Sequence, residues 1–268
     1  MGKYLAGFIG AGNMGGIIAS AVSKRVGKDA VAVCCSSNQS SQDAAVRIGC
    51  DAASFEEICD SRYIFLGIKP QMADSILPKV AECIKDRKDD YIVVSMLAGT
   101  TVDTLCKLCG TQKIVRIMPN TPSSVGEGVT LVCSSSVVSC DEVKAFCDLI
   151  SFTGKTDVLP EKLFDAATAL SGCGPAYVYM FLEALADGAV KCGLPRDLAN
   201  EYAARTVLGA SKLALLSDEH TGKLKDAVCS PGGSTIEGVS MLEKEGFRAS
   251  VIDAVTAAFE KSRALGKK

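Results

Sequence analysis

Three stretches of this chain carry residue types whose spacing suits chemistry. The first is Gly10-Ala11-Gly12-Asn13-Met14-Gly15, a GxGxxG run directly after the apolar residues Leu5 to Ile9. In such a run the first glycine permits a tight turn, the second lets the backbone approach a pyrophosphate, and the third lets helix and strand pack closely. Small apolar residues follow (Ile17, Ile18, Ala19, Ala21, Val22), which supplies the strand, turn and helix that give the motif meaning. Gly10, Gly12, Asn13, Met14 and Gly15 are therefore expected to cradle the pyrophosphate of a nicotinamide dinucleotide in a Rossmann-type domain.

The end of the second strand decides between the two nicotinamide cofactors. An Asp or Glu there bonds the ribose 2′-hydroxyl of NAD and repels the 2′-phosphate of NADP. This chain has Ser36, Ser37 and Asn38. Hydroxyl and amide donors without a carboxylate favour NADPH, and the lack of an adjacent arginine keeps NADH possible. The second stretch is Gly67-Ile68-Lys69-Pro70, joined by Leu97-Ala98-Gly99. Both close apolar runs, at the carboxyl ends of strands where open α/β sheets hold their ligands. Spacing alone leaves Lys69 equally readable as a cofactor contact and as a solvated lysine.

The third stretch is Ser230-Pro231-Gly232-Gly233-Ser234-Thr235, just before a helical run that begins near Ile236. Glycines and hydroxyls at a helix N-terminus expose backbone N–H groups at the favourable end of the dipole, which suits a carboxylate or phosphate. The same residues also cap a helix that binds nothing. His220 is the only histidine, so a Ser-His-Asp or Cys-His hydrolase and a histidine-based metal centre are not expected, and no metal is assigned. The tyrosines and lysines form no paired acid–base set. Hydride transfer to a protonated C=N bond fits this inventory, because an iminium carries its own positive charge and needs no general acid.

The elements that must position these residues fall into two classes. Up to about residue 160, β-rich runs alternate with helical stretches. The strand candidates are Leu5 to Ile9, Ala30 to Cys35, Tyr63 to Ile68, Ile92 to Ser95, Ile114 to Met118 and Thr130 to Cys133. Several are continuous apolar runs, as parallel strands covered on both faces should be, and they predict a doubly wound α/β sheet. After Glu161 the remainder reads as helix. Gly172-Cys173-Gly174-Pro175 places a proline at a helix start, and Tyr177, Phe181 and Leu185 beside Met180, Ala184 and Gly188 predict a helix buried on most sides. A following helix with Leu198, Tyr202, Leu208, Leu213 and Leu216 has apolar side chains on more than one face. Such helices need partners beyond their own domain. The expected organisation is a dinucleotide-binding domain over residues 1–160 and an all-helical substrate-binding and dimerisation domain over 161–268.

The bulk properties narrow the partners. With 29 basic against 31 acidic residues and no basic block, nucleic acid is not expected. No apolar run approaches the roughly 18 residues that span a bilayer, and no export or organelle address is visible, so the expected location is the cytoplasm. The thirteen cysteines are odd in number and sit mostly in apolar segments, as reduced core residues do. Cys106 and Cys109 form a CxxC, which without a second such pair reads as two positions on a short helix.

Taken together, several motifs resemble the pyrroline-5-carboxylate reductases over essentially the whole length. They are Phe8 to Gly15, Ile68-Lys69-Pro70, Met118-Pro119-Asn120-Thr121-Pro122, Leu170 to Tyr177, and Asp226 to Thr235 with its Ser-Pro-Gly-Gly core. The resemblance implies reduction of 1-pyrroline-5-carboxylate to L-proline, the last step of proline biosynthesis, with NADPH or NADH. It further implies that Ser230, Gly233, Ser234 and Thr235 hold the substrate carboxylate, with the Thr235 hydroxyl on the ring nitrogen as the key polar group. Ser36 would lie by the adenosine ribose, and Lys69 and Pro70 by the cofactor. Family members form interlocked dimers, often stacked as pentamers of dimers, which implies a homodimer or decamer here. Two departures are Cys173, where the family has a smaller residue, and Cys229 before the substrate loop. The rivals are another small-imine or β-hydroxyacid reductase, the latter needing a lysine for which Lys191 is the nearest candidate, and a non-catalytic NADP-binding sensor or scaffold protein.

Overall fold

The computed structural model describes residues 2–266. Its strands are β1 (Ala6–Ile9), β2 (Val31–Cys34), β3 (Asp51–Ala52), β4 (Tyr63–Leu66), β5 (Ile92–Ser95), β6 (Ile114–Met118), β7 (Gly128–Ser134) and β8 (Gly154–Val158). They form one sheet in the order β3-β2-β1-β4-β5-β6-β7-β8. Every neighbouring pair is parallel except β6 and β7. The order reverses at β1, the switch point where ligand crevices open in such sheets. All six expected strands are present, with ends shifted by a residue or two. The two strands not expected, β3 and β8, are the outer edges of the sheet, and a two-residue strand and the polar run Gly-Lys-Thr-Asp-Val carry no apolar signal.

Successive residues of the central strands face opposite cores. Phe8, Val33, Phe65, Val94 and Val115 pack beneath α1 (Asn13–Val26), α2 (Asn38–Ile48) and α6 (Cys140–Leu149), with Phe8 and Phe65 stacked at 4.2 Å. Ile9, Ala32, Ile64, Leu66 and Val93 pack on the other side against α3 (Phe55–Cys59), α4 (Ala73–Ile84) and α5 (Val102–Cys109). Burial on both faces is why these strands read as continuous rather than alternating runs.

Two compact units emerge from the packing: residues up to Cys173 together with the segment from Ala258 onward, and Gly174–Ala257. In the first, Ser262 Oγ donates to Asp165 Oδ1 at 2.7 Å, and the backbone of Leu265 lies 3.1 Å from where a Cβ on Gly99 would stand. The glycine-rich turn before Pro175 is not the simple helix start expected from sequence. A helical turn, α7 (Phe164–Ala167), passes into a π-helical turn over Thr168–Gly172 before α8 (Gly174–Lys191) begins. Pro175 has no N–H to give the carbonyl four residues earlier, on Ser171. The orphaned oxygen accepts instead from Asn120 Nδ2 at 2.9 Å, while Asn120 Oδ1 accepts from Val129 N at 2.9 Å. One buried side chain thus stands in for a helical hydrogen bond and secures the start of β7.

The second unit is helical throughout: α8, α9 (Arg196–Leu216), α10 (Thr221–Ala227), α11 (Ser234–Lys244) and most of α12 (Phe247–Leu265). Its apolar centre within one chain is small, formed by Ala186, Ala199 and Ala203. The burial that periodicity predicted for α8 is not met inside one chain: Met180 is 70% exposed, and Leu215 on α9 is 87% exposed. Apolar rows on more than one face exceed what a single pair of helices can cover.

Candidate functional site

At the reversal point of the sheet, three glycines interlock. Gly10 has φ 88°, a left-handed conformation that disfavours a side chain. A Cβ on Gly15 would stand 2.4 Å from the Gly10 carbonyl oxygen, and one on Gly67 would stand 2.3 Å from the same atom. Gly15 therefore serves close packing of α1 on the turn, and Gly67 on β4's end lets that strand meet it. Gly12 differs: nothing lies within 4 Å of its Cβ position, so its backbone faces open space. The first turn of α1, which begins with Asn13 and Met14, has no acidic residue and no side-chain cap. Uncapped N–H groups on an open glycine at a helix N-terminus fit a pyrophosphate.

This turn forms one wall of a cleft of about 350 Å³ that also takes in Ser36, Lys69 and the apolar side chains of Phe55, Met72 and Ile76. Of the residues named from sequence, Gly10, Gly12, Ser36 and Lys69 meet there. Lys69 is exposed and extended, and Pro70 opens the short turn Pro70–Met72, in which Met72 N donates to Lys69 O at 2.9 Å. Pro at the first position of a turn and an extended residue before it are what an X-Pro pair dictates. The hydroxyl of Ser36 is exposed and makes no hydrogen bond among the described residues. Ser37 is differently employed: its Oγ accepts from Ser40 N at 3.2 Å, and its own N–H donates to Ser40 Oγ at 3.1 Å, a capping box on α2. Ala98 and Gly99 lie at the end of β5 and do not line this cleft. Burial raises the thiol of Cys34, which therefore lines the cleft as a neutral group and sets no anion against incoming phosphates.

Sequence reasoning missed Phe55, Met72 and Ile76, which look like ordinary core residues in one dimension. It also missed Arg47, whose Nη2 donates to the Ala11 carbonyl at 2.8 Å across 36 residues.

In the helical unit, Ser230, Gly233, Ser234 and Thr235 gather at the start of α11. Gly232 has φ 66°, and a Cβ on Gly233 would stand 2.3 Å from Ser230 Oγ, so both glycines are needed for the turn. Gly233 is the N-cap, its N–H donating to Ser230 O at 3.0 Å, and no side chain caps the helix. The exposed hydroxyls of Ser234 and Thr235 are thus not consumed as caps, and the first N–H groups of α11 have no helical partners.

The remaining chemistry-bearing residues have local duties. His220 caps α10, its Nδ1 accepting from Gly222 N at 3.0 Å. Cys106 and Cys109 are buried on α5, and burial pushes the Cys109 thiol up to about 12. Lys191 is exposed in the last turn of α8. Among the described residues no helix is long and apolar enough to cross a membrane.

Known proteins resemble the chain throughout. A family described as "Pyrroline-5-carboxylate reductase dimerisation" matches residues 161–265, and one described as "NADP oxidoreductase coenzyme F420-dependent" matches residues 6–99. Pyrroline-5-carboxylate reductase of Pisum sativum is 40% identical over 98% of this chain and 96% of its own. The Escherichia coli enzyme of that name is 39% identical over 97% and 98%. The crystal structure of Plasmodium falciparum pyrroline carboxylate reductase with NADP bound superposes with a TM-score of 0.88 at 33% identity, covering 99% of this chain and all of that one. With a glycine turn and cleft fitted to a dinucleotide, and relatives matched from end to end, this chain belongs to the pyrroline-5-carboxylate reductases.

Proposed function

We infer that this chain reduces 1-pyrroline-5-carboxylate to L-proline with hydride from NADPH, and that the start of α11 holds the substrate. The observation that carries the second part is the helix start itself: Gly233 caps it, so the Ser234 and Thr235 hydroxyls and the adjacent N–H groups are left for a ligand. A carboxylate accepts from such N–H groups and gains from the helix dipole. Ser230 and Ser234 take the carboxylate beside Gly233, whose own N–H is turned to Ser230 O. Thr235 bonds the ring nitrogen, orienting the C=N bond.

In the sheet unit, Gly10, Gly12, Asn13, Met14 and Gly15 take the pyrophosphate, and Ser36 and Ser37 the adenosine ribose. Lys69 and Pro70 complete the cofactor contacts at the cleft, and Ala98 and Gly99 meet the cofactor beyond its lining. Bound NADPH supplies the hydride. The protein supplies orientation, because the cyclic iminium already bears positive charge and asks for no general acid; proximity accounts for most of the acceleration. NADPH is preferred over NADH because no carboxylate stands at Ser36 to Asn38 to repel a 2′-phosphate.

We place the dinucleotide-binding domain at 1–160 and the substrate-binding and dimerisation domain at 161–268, with the two ends of the latter, 161–173 and the segment from Ala258, packed into the sheet-bearing unit. The uncovered apolar faces of α8 and α9 pair with a second copy, giving a homodimer or, where such dimers stack, a decamer. Thirteen cysteines without a disulfide among the described residues support a cytoplasmic location. The test follows NADPH absorbance with pyrroline-5-carboxylate, a six-membered cyclic imine and a β-ketoacid in parallel. Consumption with the first is expected; consumption with the β-ketoacid alone, or binding of NADPH with no consumption at all, refutes the reading.

A further inference from the structure

The carbonyl of Ala11 and the N–H of Gly12 belong to one peptide plane and point in opposite directions. Whatever holds that carbonyl on one side aims that N–H to the other. Arg47, in the last turn of α2, holds it: Nη2 donates to Ala11 O at 2.8 Å. Gly12 itself lines the cleft and is open to approach, with no atom within 4 Å of its Cβ position. The guanidinium is also fitted to the helix it sits against. A Cβ on Gly16, in the first turn of α1, would stand 3.2 Å from Arg47 Nη1 and 3.3 Å from Ala11 O, so glycine leaves the room that the arginine uses. No carboxylate pairs with Arg47 among the described residues, and the first turn of α1 has no acidic residue. Its positive charge is therefore uncompensated behind the site of two phosphates.

We propose that Arg47 is a positioning residue for the dinucleotide pyrophosphate, acting through Ala11: it fixes the peptide plane that aims Gly12 N–H into the cleft and places a cation behind the turn. The proposal rests on the assignment of the pyrophosphate to the glycine turn. Because the pyrophosphate is common to both cofactors, Arg47 serves NADPH and NADH equally. That separates it from a group on the 2′-phosphate, which only NADP carries.

The experiment measures dissociation constants of NADPH and NADH by nicotinamide fluorescence, and the melting temperature without cofactor, for the wild type, Arg47→Met, Arg47→Lys, Gly16→Ala and Arg47→Met with Gly16→Ala. Arg47→Met is expected to weaken both cofactors by the same factor, about 10-fold, the scale of one charge-assisted hydrogen bond. KM for NADPH rises with it, while kcat and KM for pyrroline-5-carboxylate change by less than about 2-fold, the signature of lost ground-state cofactor binding. Arg47→Lys recovers part of the loss. Gly16→Ala crowds the guanidinium, weakens both cofactors less, and adds nothing to Arg47→Met. Unchanged constants in Arg47→Met overturn the proposal, as does a loss confined to NADPH, a lowered melting temperature with intact binding, or additivity of the two substitutions. A wild type that binds neither cofactor overturns the underlying assignment instead.

Discussion

Replacing Asn120 by alanine should cost the fold more than the loss of one surface amide. The residue is 8% exposed. Its Nδ2 serves the Ser171 carbonyl and its Oδ1 serves the Val129 amide, both at 2.9 Å. Each buried group left without a partner costs about 1–3 kcal/mol, so losing both amounts to about 3 kcal/mol after some relaxation. For a chain of this size 1 kcal/mol corresponds to about 2–4 °C, so a melting point lower by about 6–12 °C is expected. The assay is far-UV circular dichroism without cofactor at one fixed protein concentration, because any subunit association makes melting concentration-dependent. A second substitution sharpens the argument. Pro175→Ala alone gives up the entropic advantage of proline and should be neutral or destabilising by about 0.5–1 kcal/mol. In the Asn120→Ala background the sign reverses, because the N–H that the substitution introduces reaches the deserted Ser171 carbonyl and recovers about 1 kcal/mol. Asn120→Ala melting within about 2 °C of the wild type, or Pro175→Ala adding to the damage rather than offsetting it, would refute the reasoning.

Thr235→Ala should lower turnover by about 10-fold or more, the scale of one hydrogen bond to the reacting ring, while melting stays put because the hydroxyl does not cap its helix; steady-state kinetics at saturating NADPH decide it, and unchanged turnover and KM remove the role. Gly67→Ala drives a Cβ to 2.3 Å from Gly10 O and 3.2 Å from Gly15 Cα, and NADPH titration should show binding weakened beyond measurement or by at least about 100-fold. The Glu142 carboxyl is held down to about 2 by the Lys113 ammonium first and by the Ser139 backbone N–H next. A depressed carboxylate stabilises the fold above its ordinary value of 4.5 and loses that contribution as pH falls toward 2. Glu142→Gln should therefore cost about 1–2 kcal/mol at pH 7, after allowance for partial solvent screening, and the gap from the wild type should shrink to less than about half by pH 3. Melting curves at the two pH values that differ by the same amount would show that the ion pair does not act this way.

The central sheet was legible because burial on both faces leaves an unbroken apolar signature, as in Tyr63–Leu66 and Ile92–Ser95. The edges were not. Asp51–Ala52 and Gly154–Val158 owe their strand conformation to a neighbour rather than to their own composition. The turn before Pro175 misled because its missing hydrogen bond is supplied by Asn120, 51 residues away from Ser171, and a local rule cannot see a distant donor. At the candidate site the glycine turn announces itself, since its geometry is set by residues next to one another. Arg47 does not, for the same reason as Asn120. The exposed apolar helices were half legible: their excess of apolar faces was visible, but that one chain leaves those faces uncovered needed the packing to be seen.

The return of the segment from Ala258 to the sheet-bearing unit has a bearing on biosynthesis. Translation delivers β1 through β8, then the whole helical unit, and only then the residues that set Ser262 on Asp165 and Leu265 on Gly99. Domains tend to fold in order as they leave the ribosome, but here the first to emerge waits for its last piece until the second has been made. The loop that must close grows costly only as the logarithm of its length, so the wait adds little free energy and is felt in time: on the nascent chain, the turn at Gly99 stands uncovered while the helices are still being synthesised.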